Sequence, residues 1–501
     1  MQSIWLIIAF LAYTALLFFV SGRTSRHAGN GAFFSGDHKA PWFLVGYGMV
    51  GSSISGVSFI SVPGNVWVQN FFYLPLVFGF VIGYIVIAKV FLPLYYRRGL
   101  TSIYTFLDDR FGKVTHKTGT VVFMVSRLLG SAVRIFVVIL VLQALLPSGN
   151  HPAALFLAIA VVFLSLLYLY TYKGGVKTII WTDVFQTTFM LLAVALTIIF
   201  ICRSMGWNFG GMTAAVASTI NGNEGTVGFG RPFTALLDWD WHHGTNALKQ
   251  FVSGIFITVA MNGIDQAMIQ KSLACKDLRA AQKNTYTTAV IIVIVNVAFV
   301  LLGALLCVFA SSVGGFEALG ISKTDELFPA IASKYFGTGL GVVFLLGLIS
   351  SSYPSAGAAM TSLTTSVCVD FLGFGREGKH DDGIRKLVHA LVGLAIFVIV
   401  VVLYLVSNDA VVNLIYKLAS YTYGHLLGMF LFGLASKRVV KDTAVPAVTV
   451  LAPVLCLAFN LIARKLWGFD LGFTLLIVNT ALTLLGLWIC SGRPSSTASA
   501  E

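Results

Sequence analysis

Apolar side chains run through this chain in long blocks, separated by short stretches where cations and turn formers collect. A helix needs roughly 20 residues to cross a hydrocarbon core of ~30 Å. Blocks of about that length or more fall at 3–21, 43–68, 73–96, 118–146, 153–172, 178–202, 249–270, 285–312, 338–372, 387–406, 410–436, 443–463 and 470–490. The pattern predicts an all-α polytopic membrane protein with about thirteen spans, since backbone exposed to lipid must pair its own polar groups.

Two blocks are interrupted. Residues 52–67, SSISGVSFISVPGNVW, place five serines, two glycines and a proline in the second span. Ser52, Ser53, Ser55, Gly56 and Ser58 precede Pro63-Gly64, and both the missing proline donor and the glycines' freedom predict unwinding within this stretch. Residues 257–271, ITVAMNGIDQAMIQK, place Asn262, Gly263, Asp265 and Gln266 toward one end of the seventh span. Five spans separate the two interruptions, so they enter the membrane with opposite polarity, as an inverted repeat of spans two to six and seven to eleven requires. Interruptions at matching positions of two inverted halves point to a binding site near the midplane. The expected organisation is an N-terminal extra helix and loop (1–42), a first repeat (43–202), an outer loop (203–248), a second repeat (249–436) and C-terminal extra helices with a tail (437–501).

Composition agrees with the hydropathy pattern. The chain is 57% hydrophobic and 11% charged, with a mean hydropathy of +0.87. Its 33 Lys and Arg against 20 Asp and Glu give a net +13. In a membrane protein that excess is read loop by loop. With the N-terminus outside, the inner segments hold 22 of the 33 cations and the outer ones 7, as the positive-inside rule requires, and the C-terminus is cytoplasmic. No Lys or Arg precedes the first block while Arg23 and Arg26 follow it, so it reads as an uncleaved helix and not a signal peptide. The expected location is a bacterial-type inner membrane, with no nucleic-acid partner.

Six scattered cysteines without CxxC spacing read as free thiols, with neither disulfide nor zinc. No HExxH, GxSxG or paired-carboxylate motif is present, so an enzyme is not expected. His242-His243 reads as a solvated pair, and the glycine-rich outer loop as either a lid or a linker.

Four cations lie at membrane depth: Lys89, Arg127, Arg134 and Lys417. Snorkelling accounts for Lys89 and Lys417. Arg127 and Arg134 are seven residues apart, about 20° from one another on a helix, with Ser131 between them. A cation facing lipid costs ~2.5 kcal/mol or more, so this face looks into the bundle, toward carbonyls, an acidic partner or an anionic solute. Asp183, in KGGVKTIIWTDVFQTTFM, is the carboxylate of the sixth span, and it either pairs with a cation or lies on an ion path.

The stretches SGVSFISVPG, GGVKTIIWTDVFQ, GIDQAMIQKSLACKD and SSYPSAGAAMTSLTTSVCVDF together resemble the sodium:solute symporter family over roughly residues 1–440. The resemblance implies a leucine-transporter-type fold of five plus five inverted helices, preceded by one helix and followed by two. It also implies sodium as the co-transported ion. Its sodium ligands carry over to the carbonyls of Gly51, Ile54 and Ser351 and to hydroxyls at 354 and 355. Ser355 supplies one hydroxyl, while Pro354 supplies none. A second sodium site found in some members would use Asp183 with hydroxyls at 357 and 358, which here are Gly357 and Ala358. Substrate positions carry over to Ser55, Ser58, Thr258 and Asn262, and the inner-gate aromatic of the sugar transporters is Met261.

With Arg127 and Arg134, the resemblance implies sodium-coupled uptake of a small polar solute, such as a sugar, a sugar acid like sialic acid, or an amino acid. A monomer or weak homo-oligomer in the lipid bilayer is expected. Two other readings remain open: a proton-coupled or uncoupled carrier of the same fold, prompted by Pro354 and Asp183, and a transporter-like solute sensor. Sensors of this family carry a long signalling domain, and here about ten residues follow the last apolar block.

Overall fold

Lipid offers backbone groups no hydrogen-bond partner, so a chain this apolar satisfies them within helices. The computed structural model describes residues 2–26, 29–146, 151–218, 235–374, 381–406, 409–469 and 471–492. The membrane-length elements begin with α1 (Gln2–Thr24), α2 (Trp42–Ser53), α3 (Gly56–Gln69) and α4 (Leu74–Arg98). Next come α5 (Lys113–Leu145), α6 (Pro152–Thr171), α7 (Gly175–Ser204), α8 (Ala247–Gly263) and α9 (Gln266–Leu273). The remainder are α10 (Leu278–Ser312), α11 (Thr338–Phe371), α12 (Asp382–Val406), α13 (Asp409–Ala435), α14 (Val445–Trp467) and α15 (Leu475–Ile489).

Among the described residues, ten helices are long and apolar enough to cross a membrane, and two bent pairs raise the number to up to twelve. The block expected at 410–436 falls on α13, and its side chains through residue 420, Lys417 included, lie outside the described residues. The bent pairs are α2 with α3, at 62°, and α8 with α9, at 66°.

The first bend falls at Ile54-Ser55, within the stretch 52–67 that the sequence marks and ahead of Pro63-Gly64. Helix α2 stops at Ser53, Ile54 and Ser55 are extended, and Ser55 starts α3 by accepting a hydrogen bond from the Ser58 N–H at 3.3 Å. Pro63 lies inside α3. The dipeptide serves a close approach: a Cβ on Gly64 would lie 2.2 Å from the Thr324 carbonyl oxygen, and one on Gly303 of α10 would lie 2.4 Å from the Pro63 carbonyl oxygen.

The two broken spans run in opposite directions. The Ala40 N–H, just before α2, donates to the Ala274 carbonyl, just after α9, at 3.0 Å. One broken span therefore begins where the other ends.

Helix α11 occupies the centre: 83% of its most apolar 18-residue stretch is buried, against 17% for that of α1 and 22% for that of α12. On α12, Leu387, Leu391, Leu394, Val398 and Val402 form an exposed row at helical spacing, the face turned to lipid acyl chains. Residues 313–337 cover the far half of the first broken span, where the Thr324 hydroxyl donates to Asn65 Oδ1 at 3.1 Å and the Phe328 ring lies 5.3 Å from that of Phe59. Of the expected lid at 203–248, a helix at Phe209–Ser218 and the turn leading into α8 are described, and 219–234 lies outside the described residues. Val439–Val440 pairs antiparallel with Ser491–Gly492, bringing the start of α14 and the end of α15 to one face.

Helices α4 and α8 meet through glycine, as membrane helices without a hydrophobic driving force tend to do. A Cβ on Gly79 would lie 2.1 Å from the Phe251 carbonyl oxygen, and one on Gly254 would lie 2.1 Å from that of Leu76. Gly254→Val is expected to destabilise the folded protein by about 1–3 kcal/mol through overpacking, read as a lower Tm in detergent. Gly341→Ala, with open space around it, should leave Tm unchanged.

Candidate functional site

Breaking a helix exposes carbonyls at the end of one half and N–H groups at the start of the next, and the two breaks satisfy these groups differently. At the second break the carbonyls are already filled. The Tyr95 hydroxyl donates to the Gly263 carbonyl at 2.8 Å, and the Tyr104 hydroxyl donates to that of Ile264 at 3.0 Å. On the N–H side, Asp265 caps α9 by accepting from Ala267 at 2.9 Å and Met268 at 3.3 Å. At the first break the Ile54 N–H still reaches the Val50 carbonyl at 2.9 Å. The extended Ile54 and Ser55 then turn the following amides away. The carbonyls of Gly51 and Ile54 are left with no helical donor, and bare carbonyls in a low-dielectric setting attract cations.

Helix α11 faces this first break. A small cavity of about 10 Å³, room for about one water, is lined by Ser55, Gly56, Ser131, Arg134, Ser352 and Ser355, among others. The approach is close: a Cβ on Gly56 would meet Ser352 Oγ, and one on Gly51 would lie 3.5 Å from Pro354 Cγ. The hydroxyls of Ser351 and Ser352 each donate back to the Leu348 carbonyl at 2.8 Å. Ser355 accepts from Arg134 at 3.4 Å. The cavity thus combines serine hydroxyls and one guanidinium, next in sequence to the open carbonyl of Ile54.

The two arginines of α5 have separate partners. Arg127 reaches Asp265 Oδ2 at 3.3 Å, and the Tyr423 hydroxyl donates to the same oxygen at 2.8 Å. Both charged side chains are buried. Arg127 thereby ties α5 to the second break and lies outside the cavity, whereas Arg134, one heptad on, lines it. The substrate positions carried over by resemblance also separate. Ser55 lines the cavity, and Ser58 shares a 3.3 Å hydroxyl contact with it. Asn262 Oδ1 accepts from the Ser53 hydroxyl at 3.3 Å, joining the two breaks directly. Thr258 is buried against Gly83 of α4.

Asp183, on α7, has a partner that charge counting along the sequence assigns to a loop. Lys271, on α9, places Nζ 2.5 Å from Asp183 Oδ2 and also donates to Ser52, whose hydroxyl reaches the same carboxylate oxygen at 2.9 Å. Every residue of α9 is buried, so its polar composition, QAMIQKSL, was the available signal. Asp265 offered a signal too, an acidic residue just past Gly263 in N-cap position. The outer His242-His243 pair bonds Asp240 and Asp238, and no group of three metal-ligating side chains occurs among the described residues. There the His242 N–H holds the exposed Asp240 carboxyl below the usual carboxylate range. Lys89 is exposed on α4, in keeping with snorkelling.

Residues 33–450 match the model of the sodium:solute symporter family. The chain belongs to that family. Its relatives include human sodium-coupled monocarboxylate transporter 2, 23% identical over 72% of this chain and 57% of that protein, and the human sodium/iodide cotransporter, 23% identical over 80% and 60%. The sodium/sialic acid symporter SiaT of Proteus mirabilis is 20% identical over 83% of this chain and 82% of its own. The chain thus spans less than two thirds of the length of the two human relatives. Among solved structures, a substrate-bound, outward-open sodium-coupled sialic acid symporter superposes with a TM-score of 0.80 at 16% identity, covering 98% of this chain and 99% of the other. Mhp1, a nucleobase-cation-symport-1 transporter, superposes at 0.59 and 15% identity, covering 92% and 94%. Both likenesses show the fold.

The Arg127–Asp265 contact predicts strong coupling. Arg127→Gln alone leaves a buried carboxylate without its cation, and Asp265→Asn alone leaves a buried cation; each is expected to cost about 3–5 kcal/mol. The double variant should cost clearly less than the sum of the two, checked by a thermal-unfolding double-mutant cycle.

Proposed function

We propose that the protein is a secondary active symporter that uses the sodium gradient to take up a small anionic solute by alternating access. The observation that carries this reading is the first break, where the Arg134 guanidinium and serine hydroxyls line one small cavity beside the end of α2. Arg134 anchors a carboxylate through charge-assisted hydrogen bonds, with Ser55 and Ser58 of α3 and Asn262 beside it. Sodium is held at the edge of the same cavity by the carbonyls of Gly51, Ile54 and Ser351 and the hydroxyl of Ser355. Sodium and solute then neutralise one another's charge at a depth where an unpaired ion is costly. Three relatives support an anionic cargo by their names, since sialic acid, monocarboxylates and iodide are all anions.

Coupling follows from differential affinity. Sodium drives the cycle only because it favours one of two access states over the other. The two access states are related by rocking of two inverted five-helix repeats, 43–202 and 249–436. These lie within thirteen spans, with the N-terminus outside and the C-terminus in the cytoplasm of a bacterial-type inner membrane. Oppositely directed broken spans support that arrangement. A proton-coupled carrier is the second reading, favoured by one observation: Pro354 presents no hydroxyl where the family has a sodium ligand.

Proteoliposomes containing the purified protein should accumulate small carboxylates under an inward sodium gradient, at least tenfold above accumulation in choline medium. Equal uptake in both media, or uptake that follows pH alone, would favour the second reading. Arg134→Gln should lower carboxylate uptake tenfold or more, chiefly through KM, because it removes the anion anchor and leaves the unpaired carbonyls in place. Unchanged kinetics in that variant would exclude an anionic cargo held by Arg134.

A further inference from the structure

We propose that Lys271 is a resident cation standing where a second co-transported ion would bind Asp183, so that sodium has one exchangeable site in this chain, at the first break. Three observations converge on this. The first is the Lys271 ammonium itself, at 2.5 Å from Asp183 Oδ2 and bonded to Ser52, with both charged side chains at most 2% exposed. It arrives from α9, meets a carboxylate of α7 and a hydroxyl of α2, and so occupies the position of a bound ion between three elements.

The second is the set of oxygens left over. Asp183 Oδ1 and the Thr187 hydroxyl are buried without a hydrogen-bond partner, and the Gln186 amide beside them faces the Tyr13 and Tyr170 hydroxyls. They lie three and four residues apart on one face of α7, and Thr187 Oγ1 sits 2.5 Å from where a Cβ on Gly51 would be. A carboxylate, an amide oxygen and a hydroxyl gathered at such depth are a cation-coordinating set larger than one ammonium fills.

The third is what closes the site on the α11 side. Gly357 and Ala358 offer no hydroxyl, and a Cβ on Gly357 would lie 2.8 Å from the Tyr170 hydroxyl, which takes the space a ligating side chain would need. Oxygen has been withdrawn from one wall while a fixed positive charge was supplied from the opposite one. Because a buried charge pair is strongly destabilised when one partner is removed, Lys271 gives Asp183 a partner from within the chain without drawing an ion from solution.

The proposal rests on the sodium reading only for the site at the first break, and the following test separates the two. The readout is the number of sodium ions bound per purified, folded protein, measured with radioactive sodium alone. The wild type should bind one. Lys271→Met removes the resident cation and frees the Asp183, Ser52 and Thr187 oxygens, and it should bind about two. Asp183→Asn with Lys271→Met, which removes both charges and so spares the fold an uncompensated one, should return the count to one. Two sodium ions on the wild type, one on both the wild type and folded Lys271→Met, or none on the double variant beside one on the wild type would overturn the inference. If Lys271→Met does not fold, Lys271→Gln, which keeps a donor toward Ser52 and removes the charge, takes its place with the same expected counts. No sodium on the wild type with one on Lys271→Met would sustain the resident cation and instead remove sodium from the first break. No sodium on either would remove both.

Discussion

Lipid does not forgive an unpaired backbone group, and the architecture around the two helix breaks follows from that constraint. An interruption of a membrane helix survives only where something other than lipid meets its free ends. At the second break the protein provides everything itself: tyrosine hydroxyls for the carbonyls, an aspartate for the amides, and an arginine with a third tyrosine for the aspartate. At the first break it provides a serine cap for the amides and leaves the carbonyls open. One break is thus a sealed joint and the other leaves carbonyls open, and the proposed sodium site belongs to the open one.

The electrostatics divide in the same way. Of the buried cations near the breaks, Arg127 and Lys271 hold carboxylates on other helices, Asp265 and Asp183, while Arg134 faces the cavity. The two ion pairs fasten α9 to α5, α7 and α2, so this short inner half moves only together with its partners. That arrangement suits a rocking mechanism, in which bodies turn as units and the contacts within each are preserved.

Much of this was legible in the sequence. The density of serine and glycine in 52–67 and the polar run in 257–271 marked both broken spans, and the cation distribution supported the helix pattern. Within the marked stretch the Ser55 cap sets the break, while Pro63-Gly64 serves the approach of α10 and residues 313–337, a division of roles that residue type alone does not show. The seven-residue spacing showed that Arg127 and Arg134 share a face, but it could not show that their fates differ. Asp265 lies 138 residues from Arg127, and such pairings arise only in three dimensions. Lys271 was missed because it sits at the end of an apolar block, where a lysine reads as the first loop cation. Its burial depends on α9 being enclosed on all sides, a property of packing that hydropathy does not encode.

The account depends most on two interruptions within the bilayer, one sealed and one open to an ion. Hydrogen–deuterium exchange of the purified protein, with and without sodium, tests it directly. Amides at 55–57 should exchange far faster than those of α2 and α3 and should slow on adding sodium, while the capped amides at 267–268 should stay protected throughout. Uniformly slow exchange across 50–60, or sodium protection confined to the second break, would contradict it.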